Sequence, residues 1–317
     1  MRYVHLGGSG LVVSAVGLGS NNFGLRLDLA ATRAVVDAAL EVGVTLIDTA
    51  DTYGGKGGSE EQLGEVLQGR RDEVVLATKF GMDMDGKLGD DHGARGSRWY
   101  VRRAVEASLR RLRTDHIDLY QMHAPDPSTP FEETYDALVD LVREGKVRYL
   151  GHSNFAGWQI AEAHYLSRLH GWPPFVSAQN HYSLLERDVE REVIPACVSY
   201  DVGVLPFFPL ANGLLTGKVT RAGGVPEGTR LAAREGYVTD KKLDVVEALT
   251  AWGASIGRSL LEIAVAGLGA QPAVTSVIAG ATKPEQVRAN AAAGDWEPTA
   301  DELAALDEIA HPRRPSR

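Results

Sequence analysis

The chain has 317 residues, 44% apolar and 24% charged, with a net charge of −9. That length exceeds a usual single core but suits an α/β barrel running as one domain over 1–317, and the acidic balance excludes a broad phosphate-backbone binder while leaving room for a local basic pocket. A lone Cys197 excludes an internal disulfide, the start MRYVHLGGSG lacks a signal peptide's apolar core, and no apolar run nears the ~20 residues that span a bilayer, so the expectation is a cytoplasmic protein without membrane or nucleic-acid partners.

Taken in order, RYVHL-GGSG-LVVS reads as a hairpin around a Gly-rich turn, placed to plug the bottom of a barrel. VGLGS is a first barrel strand, and Leu29 to Glu41 a helix with Ala34, Val35, Ala38 and Ala39 on one face. TLIDT is a second strand. Ser59 to Leu67 is a helix opened by a Ser-Glu-Glu-Gln capping box. VVLATKF is a third strand, followed by the Gly/Asp-rich stretch DMDGKLGDDHGARGS, read as a flexible wall, and an Arg-rich helix from Ser97 to Leu112. HIDLYQMH, VRYLGHS, FVSAQN and GVLPFF supply strands four to seven, with helices over Phe131 to Arg143, Gly157 to Leu169 and Asp188 to Ser199 between them. Residues 211 to 237 are Gly-rich and weakly periodic. Helices resume near Asp240 and Ser259, VTSVIAG is an eighth strand, and helices cover Pro284 to Ala292 and Thr299 to Ile309, before a loose tail HPRRPSR. Eight strands alternating with helices predict a (β/α)8 TIM barrel with an N-terminal β-hairpin capping its bottom, rather than a doubly wound sheet.

Chemistry in such a barrel sits at the C-terminal strand ends. There the second strand ends in Asp48 with Tyr53 one short loop beyond, the third in Lys79, and the fourth in His123. Singly, Asp48 reads as a turn cap, Lys79 as a snorkelling cation, His123 as a core histidine and Tyr53 as packing. Three adjacent strands ending in ionisable groups are harder to explain that way, because burying charge without purpose is costly. Together they make a tunable acid. A phenol has a reference pKa of about 10, and a close ammonium lowers it at roughly 1.4 kcal/mol per unit. Asp48 would hold Lys79 charged and in place, Tyr53 would deliver the proton, and His123 would donate to a carbonyl oxygen. A metal-dependent barrel hydrolase is disfavoured, since no His-x-His pair follows the first strand and few histidines converge; no metal is expected.

The motifs DTADTYGGKGGSEEQLG, ATKFG, DLYQMHAPD, GHSNF, QNHYS, FFPLANGLLTGK and VIAGATKPEQVRAN, in that order, resemble those of the aldo-keto reductases. The resemblance spans nearly the whole chain. It implies NADPH-dependent reduction of a small carbonyl substrate, with Tyr53 as acid/base assisted by Asp48, Lys79 and His123. It also implies cofactor contacts. Gly19, Ser20 and Asp48 lie at the first strand ends. Ser153, Asn154 and Gln179 would meet the nicotinamide carboxamide, and Phe207, beside Phe208, its ring face. Leu210, Asn212, Gly213, Leu214 and Lys218 would close over the pyrophosphate. Gly280, Thr282, Lys283, Gln286 and Asn290 would hold the adenosine phosphate. Lys283 stands where relatives often have arginine; it still offers a cation to a 2′-phosphate, favouring NADPH over NADH. The acidic residue of a dinucleotide-binding Gly-rich loop is missing after VGLGSNNFG, so the cofactor is expected extended over the barrel mouth. Substrate-pocket candidates are Phe23, Tyr53, His123, His181 and Tyr182, with Trp99 read rather as packing on its helix. Potassium-channel β-subunits share these motifs, so a slow cofactor-binding partner subunit is the alternative. The substrate, stereochemistry and any homo-oligomer are not legible.

Overall fold

The structure, a computed structural model, describes residues 1–229 and 231–311. The tail read as loose therefore lies, beyond His311, outside the described residues. Strands β1 (Tyr3–His5) and β2 (Val12–Ser14) form the antiparallel hairpin. Eight parallel strands follow: β3 (Val16–Gly19), β4 (Leu46–Asp48), β5 (Val75–Phe80), β6 (Ile117–Met122), β7 (Val147–Ser153), β8 (Phe175–Gln179), β9 (Gly203–Val204) and β10 (Val277–Gly280). Their order in the sheet is β10-β3-β4-β5-β6-β7-β8-β9. The sheet curls until its ends meet. Val204 donates to the Ala273 carbonyl (2.7 Å), and Thr275 donates back to Val204 (2.9 Å). The result is a (β/α)8 barrel.

Helices α1 (Leu29–Glu41), α2 (Tyr53–Val66), α3 (Arg98–Leu112), α4 (Phe131–Arg143), α5 (Gly157–His170), α6 (Val193–Ser199), α7 (Asp240–Ser255), α8 (Leu260–Gly269), α9 (Pro284–Ala293) and α10 (Ala300–Ala310) surround it. Their apolar faces meet the outer sheet face in one large core. Asp28, Ser97, Ser259 and Thr299 cap α1, α3, α8 and α10 by accepting a backbone N–H in the first turn. A second apolar cluster, including Leu214, Leu249 and Ile263, lies under the segment after β9. Inside the barrel, Leu46, Ala77, Leu119, Val176, Leu205 and Ile278 pack on Leu6 and Val13 of the hairpin. Gly8 donates to the Asp201 carbonyl at 2.6 Å, seating the hairpin turn beside the start of β9, so it plugs the bottom as expected.

Some elements differ from expectation. The helix read over 188–199 breaks at Glu192 (φ −142), leaving a 3-10 turn at Asp188–Arg191 before α6. Strand β9 is only two residues long, because Pro206 has no N–H to continue the ladder. No capping box forms at Ser59. Its hydroxyl bonds the Ser20 and Thr49 hydroxyls (2.9 Å each), while Gln62 accepts from the Gly24 amide (2.9 Å) and the Thr32 hydroxyl (2.6 Å). The Gly/Asp-rich stretch after β5 is tied down instead of free. Lys87 donates to the Gly55 and Lys56 carbonyls (2.9 Å each), Lys56 pairs with Asp85, and Met84 and Leu88 are buried.

Candidate active site

Parallel strands put their C-terminal ends in one ring, and register fixes which side chains share it. Asp48 is level with Gly19 and Ala77, Lys79 with Gln121, and Ser153 with Gln179. Lys79 and Asp48 are buried at the centre, with 0% and 4% of their side chains exposed. An ammonium has three N–H donors, and each has an acceptor here. Lys79 Nζ lies 2.6 Å from Asp48 Oδ2, 2.8 Å from the Thr49 carbonyl and 3.4 Å from Tyr53 Oη. Burial opposes charge on Lys79, but Asp48 and then Tyr53 outweigh it and hold its pKa above the ordinary lysine value. The other Asp48 oxygen accepts from Gln179 Nε2 (2.8 Å) and Gln121 Nε2 (3.1 Å). The carboxylate is thus held from both sides.

Tyr53 begins α2, but the residues after it are not helical. Gly54, Gly55, Lys56 and Gly57 all have positive φ, and regular turns resume only beyond them. A side chain at Gly54 would come within 2.4 Å of the Ser59 nitrogen and 2.5 Å of the Phe23 carbonyl, so glycine is needed for the chain to turn there. This coil aims the phenol back at Lys79. Below it, burial and then Glu60 push the Asp51 carboxyl well above the ordinary range. Both Asp51 oxygens are buried without a hydrogen-bond partner among the described residues. Glu60 is engaged by Arg111 (2.7 Å) and the Thr78 hydroxyl (2.6 Å), anchoring α2 to α3 and β5.

His123 meets the Tyr53 ring edge-on, with centroids 5.9 Å apart. Its backbone carbonyl accepts from Asn154 Nδ2 (2.9 Å), and Asn154 takes a left-handed conformation (φ 59) to reach it. Burial, then the Lys79 charge, depresses the imidazole to about 3. His123 is thus neutral, with a donor available for an oxygen at the cavity wall.

The ring opens into a cavity of about 800 Å3 lined by Asp48, Tyr53 and His123, with Lys79 beneath. Of the residues implied as cofactor contacts, Gly19, Ser20, Ser153, Asn154, Gln179, Phe207, Phe208, Leu210, Asn212, Gly213, Lys218, Gly280, Thr282, Gln286 and Asn290 also line it. Other expected residues do not. Phe23 is fully buried in the main core and Leu214 in the second apolar cluster. Tyr182 is buried, with its hydroxyl on Glu190 at 2.6 Å. His181 stacks beside Phe207, planes 7° apart, outside the cavity wall. Lys283 is exposed at the N-cap of α9, next to Thr282 but off the wall. Trp99 is half exposed with Arg103 over its ring at 4.5 Å, packing on its own helix. None of the Gly/Asp-rich stretch from Asp83 to Ser97 lines the cavity; Met82, just before it, does.

Sequence reasoning missed Gln121, whose signal is an amide inside the otherwise apolar strand LYQM. It also missed Asn21, Asn22 and Arg26, which carry no periodic signal in their loop. The cavity suits an extended dinucleotide. Asn212 lines it with both side-chain polar atoms buried and unpartnered among the described residues. Phe208, Ala211, Asn212 and Gly213 have positive φ, which turns the backbone into a concave wall.

Residues 15–311 match the sequence profile of the Aldo/keto reductase family. The chain belongs to that family. It is similar to the oxidoreductase YrpG of Bacillus subtilis, with 40% identity over 91% of this chain and 89% of the relative. It is 33% identical to L-glyceraldehyde 3-phosphate reductase of Escherichia coli, over 97% of this chain and 92% of that one. It is also 35% identical to a probable voltage-gated potassium channel subunit beta of Oryza sativa, over 94% and 92%. In this aldo-keto reductase Asp48, Tyr53, Lys79 and His123 gather at the C-terminal end of the sheet.

Proposed function

We propose that this aldo-keto reductase reduces a small aldehyde or ketone with NADPH, and that Tyr53 is the general acid. The observation carrying this is the buried Lys79, donating to Asp48 at 2.6 Å and to Tyr53 at 3.4 Å. When bound, the cofactor supplies a hydride to the carbonyl carbon. As negative charge develops on the oxygen, Tyr53 gives it a proton, and the Lys79 ammonium stabilises the phenolate left behind. Neutral His123 donates a hydrogen bond to the same oxygen. Ser153, Asn154 and Gln179 would hold the nicotinamide carboxamide, and Phe207 would offer its ring a face. Asn212 and Lys218 would hold the phosphates, and Lys283, exposed beside Thr282, would offer a cation to the 2′-phosphate. The Escherichia coli relative is named for a phosphorylated aldehyde, which belongs to the carbonyl class proposed here.

A second reading has one observation behind it, the similarity to a channel β-subunit. In that reading the same site binds cofactor and turns over slowly, while the chain serves a membrane partner. Among the described residues no helix is long and apolar enough to cross a membrane. The experiment is a panel of small aldehydes and ketones followed by NADPH absorbance. Steady consumption with at least one supports the reductase. Tight NADPH binding with negligible consumption across the panel favours the partner subunit.

A further inference from the structure

The loop between β3 and α1 is fixed at both ends of its turn. Gln62 accepts from the Gly24 amide (2.9 Å) and donates to the Leu27 carbonyl (3.2 Å), while the Arg26 and Leu27 amides both donate to the Asn22 carbonyl (2.9 and 3.1 Å). The loop lies directly on the coil that follows Tyr53. A side chain at Gly24 would stand 2.6 Å from the Gly58 carbonyl carbon, and one at Gly54 would stand 2.5 Å from the Phe23 carbonyl oxygen. The backbone bearing Arg26 is therefore held beside the proton donor, and Arg26 lines the same cavity as Tyr53 and His123.

Nearby cations are engaged. Lys56 pairs with Asp85, Lys87 donates to two carbonyls, and Arg95 meets Asp91 at 2.9 Å. Arg26 differs. Its guanidinium has no hydrogen bond, ion pair or ring contact among the described residues. Asp28, the acid two residues on, accepts from the Ala31 amide at 2.8 Å as the cap of α1. An arginine fork presented on a fixed loop, in the wall of the cavity that Tyr53 and His123 also line, matches a carboxylate or phosphate oxygen pair.

We infer that Arg26 is a specificity residue that grips the anionic end of an acidic carbonyl substrate while its carbonyl meets Tyr53 and His123. This deepens the reductase reading and rests on it. The test compares matched substrates, para-carboxybenzaldehyde against para-nitrobenzaldehyde and glyceraldehyde 3-phosphate against glyceraldehyde, in wild type and Arg26→Gln. The ratio of kcat/KM for anionic over neutral partner falls at least about tenfold in Arg26→Gln, as loss of one charge-assisted fork implies. Arg26→Lys recovers part of it. A drop in the carboxylate pair alone assigns carboxylate substrates, and a drop in the phosphate pair alone assigns phosphate. Equal ratios in wild type and variant overturn the inference, as does a loss that appears instead in the NADPH Kd. Calorimetric titration of benzoate answers separately from turnover. Weaker binding to Arg26→Gln supports the grip even in a chain that reduces no aldehyde, and equal binding overturns it.

Discussion

Lys79 and Asp48 form a buried ion pair at 2.6 Å, and both residues are locked by further bonds, Lys79 by Thr49 and Asp48 by Gln121 and Gln179. Removing one partner of such a pair leaves an uncompensated charge, which costs about 3–5 kcal/mol. Asp48→Asn keeps the shape but not the charge. Urea unfolding of Asp48→Asn at neutral pH should show a loss of that order, with turnover falling in step because Lys79 no longer has a fixed counter-charge. A variant as stable as wild type would mean that the pair is not buried as described.

His123 is held neutral down to about pH 3 by burial and then by Lys79. In the proposed reaction it would donate as a neutral imidazole at every working pH. The profile of kcat/KM should therefore carry no histidine inflection between pH 5 and 8. An acid limb near pH 6.5 that disappears in His123→Asn would contradict this, because it would show the imidazole titrating at its ordinary value.

His152 offers a stability test away from the chemistry. It is fully buried between Phe155 and Phe175, with neither ring nitrogen partnered among the described residues, and burial depresses it to about 3. An unfolded histidine gains its proton near pH 6.5, whereas the folded one does not. The unfolded chain then binds more protons throughout that window, so this contribution is complete above about 6.5 and is lost as pH falls toward 3. Between pH 7 and 5 the loss is about 2 kcal/mol. His152→Leu should remove that part of the pH dependence in urea unfolding. An unchanged slope would show that His152 titrates normally in the folded state.

Much of this was legible in the sequence, for reasons that particular residues make plain. The bounds of α1 and α4 agree with the reading because apolar positions recur at helical spacing and the flanking turns are sharp. The grouping of Asp48, Tyr53, Lys79 and His123 was legible because ionisable residues at consecutive strand ends are conspicuous, and strand order then places them together. The capping box failed because Ser59 and Gln62 bind the β3–α1 loop, a contact between segments far apart in the chain. Phe23 and Tyr182 were misplaced for a related reason. An aromatic beside a strand end can turn to either side, and burial behind the barrel wall draws both inward. Gln121 was overlooked because one inward amide in a strand has no local partner to announce it.

The most direct test of the chemistry is single-turnover hydride transfer in Tyr53→Phe, measured beside the NADPH Kd. The phenol is 3.4 Å from Lys79 and on the cavity wall, so its removal takes away the acid and leaves the cofactor surface in place. A proton-donor role predicts a fall of at least about a hundredfold in the transfer rate, the lower range for general acid catalysis, with NADPH binding within a few-fold of wild type. Transfer at the wild-type rate, with the cofactor bound, would contradict it.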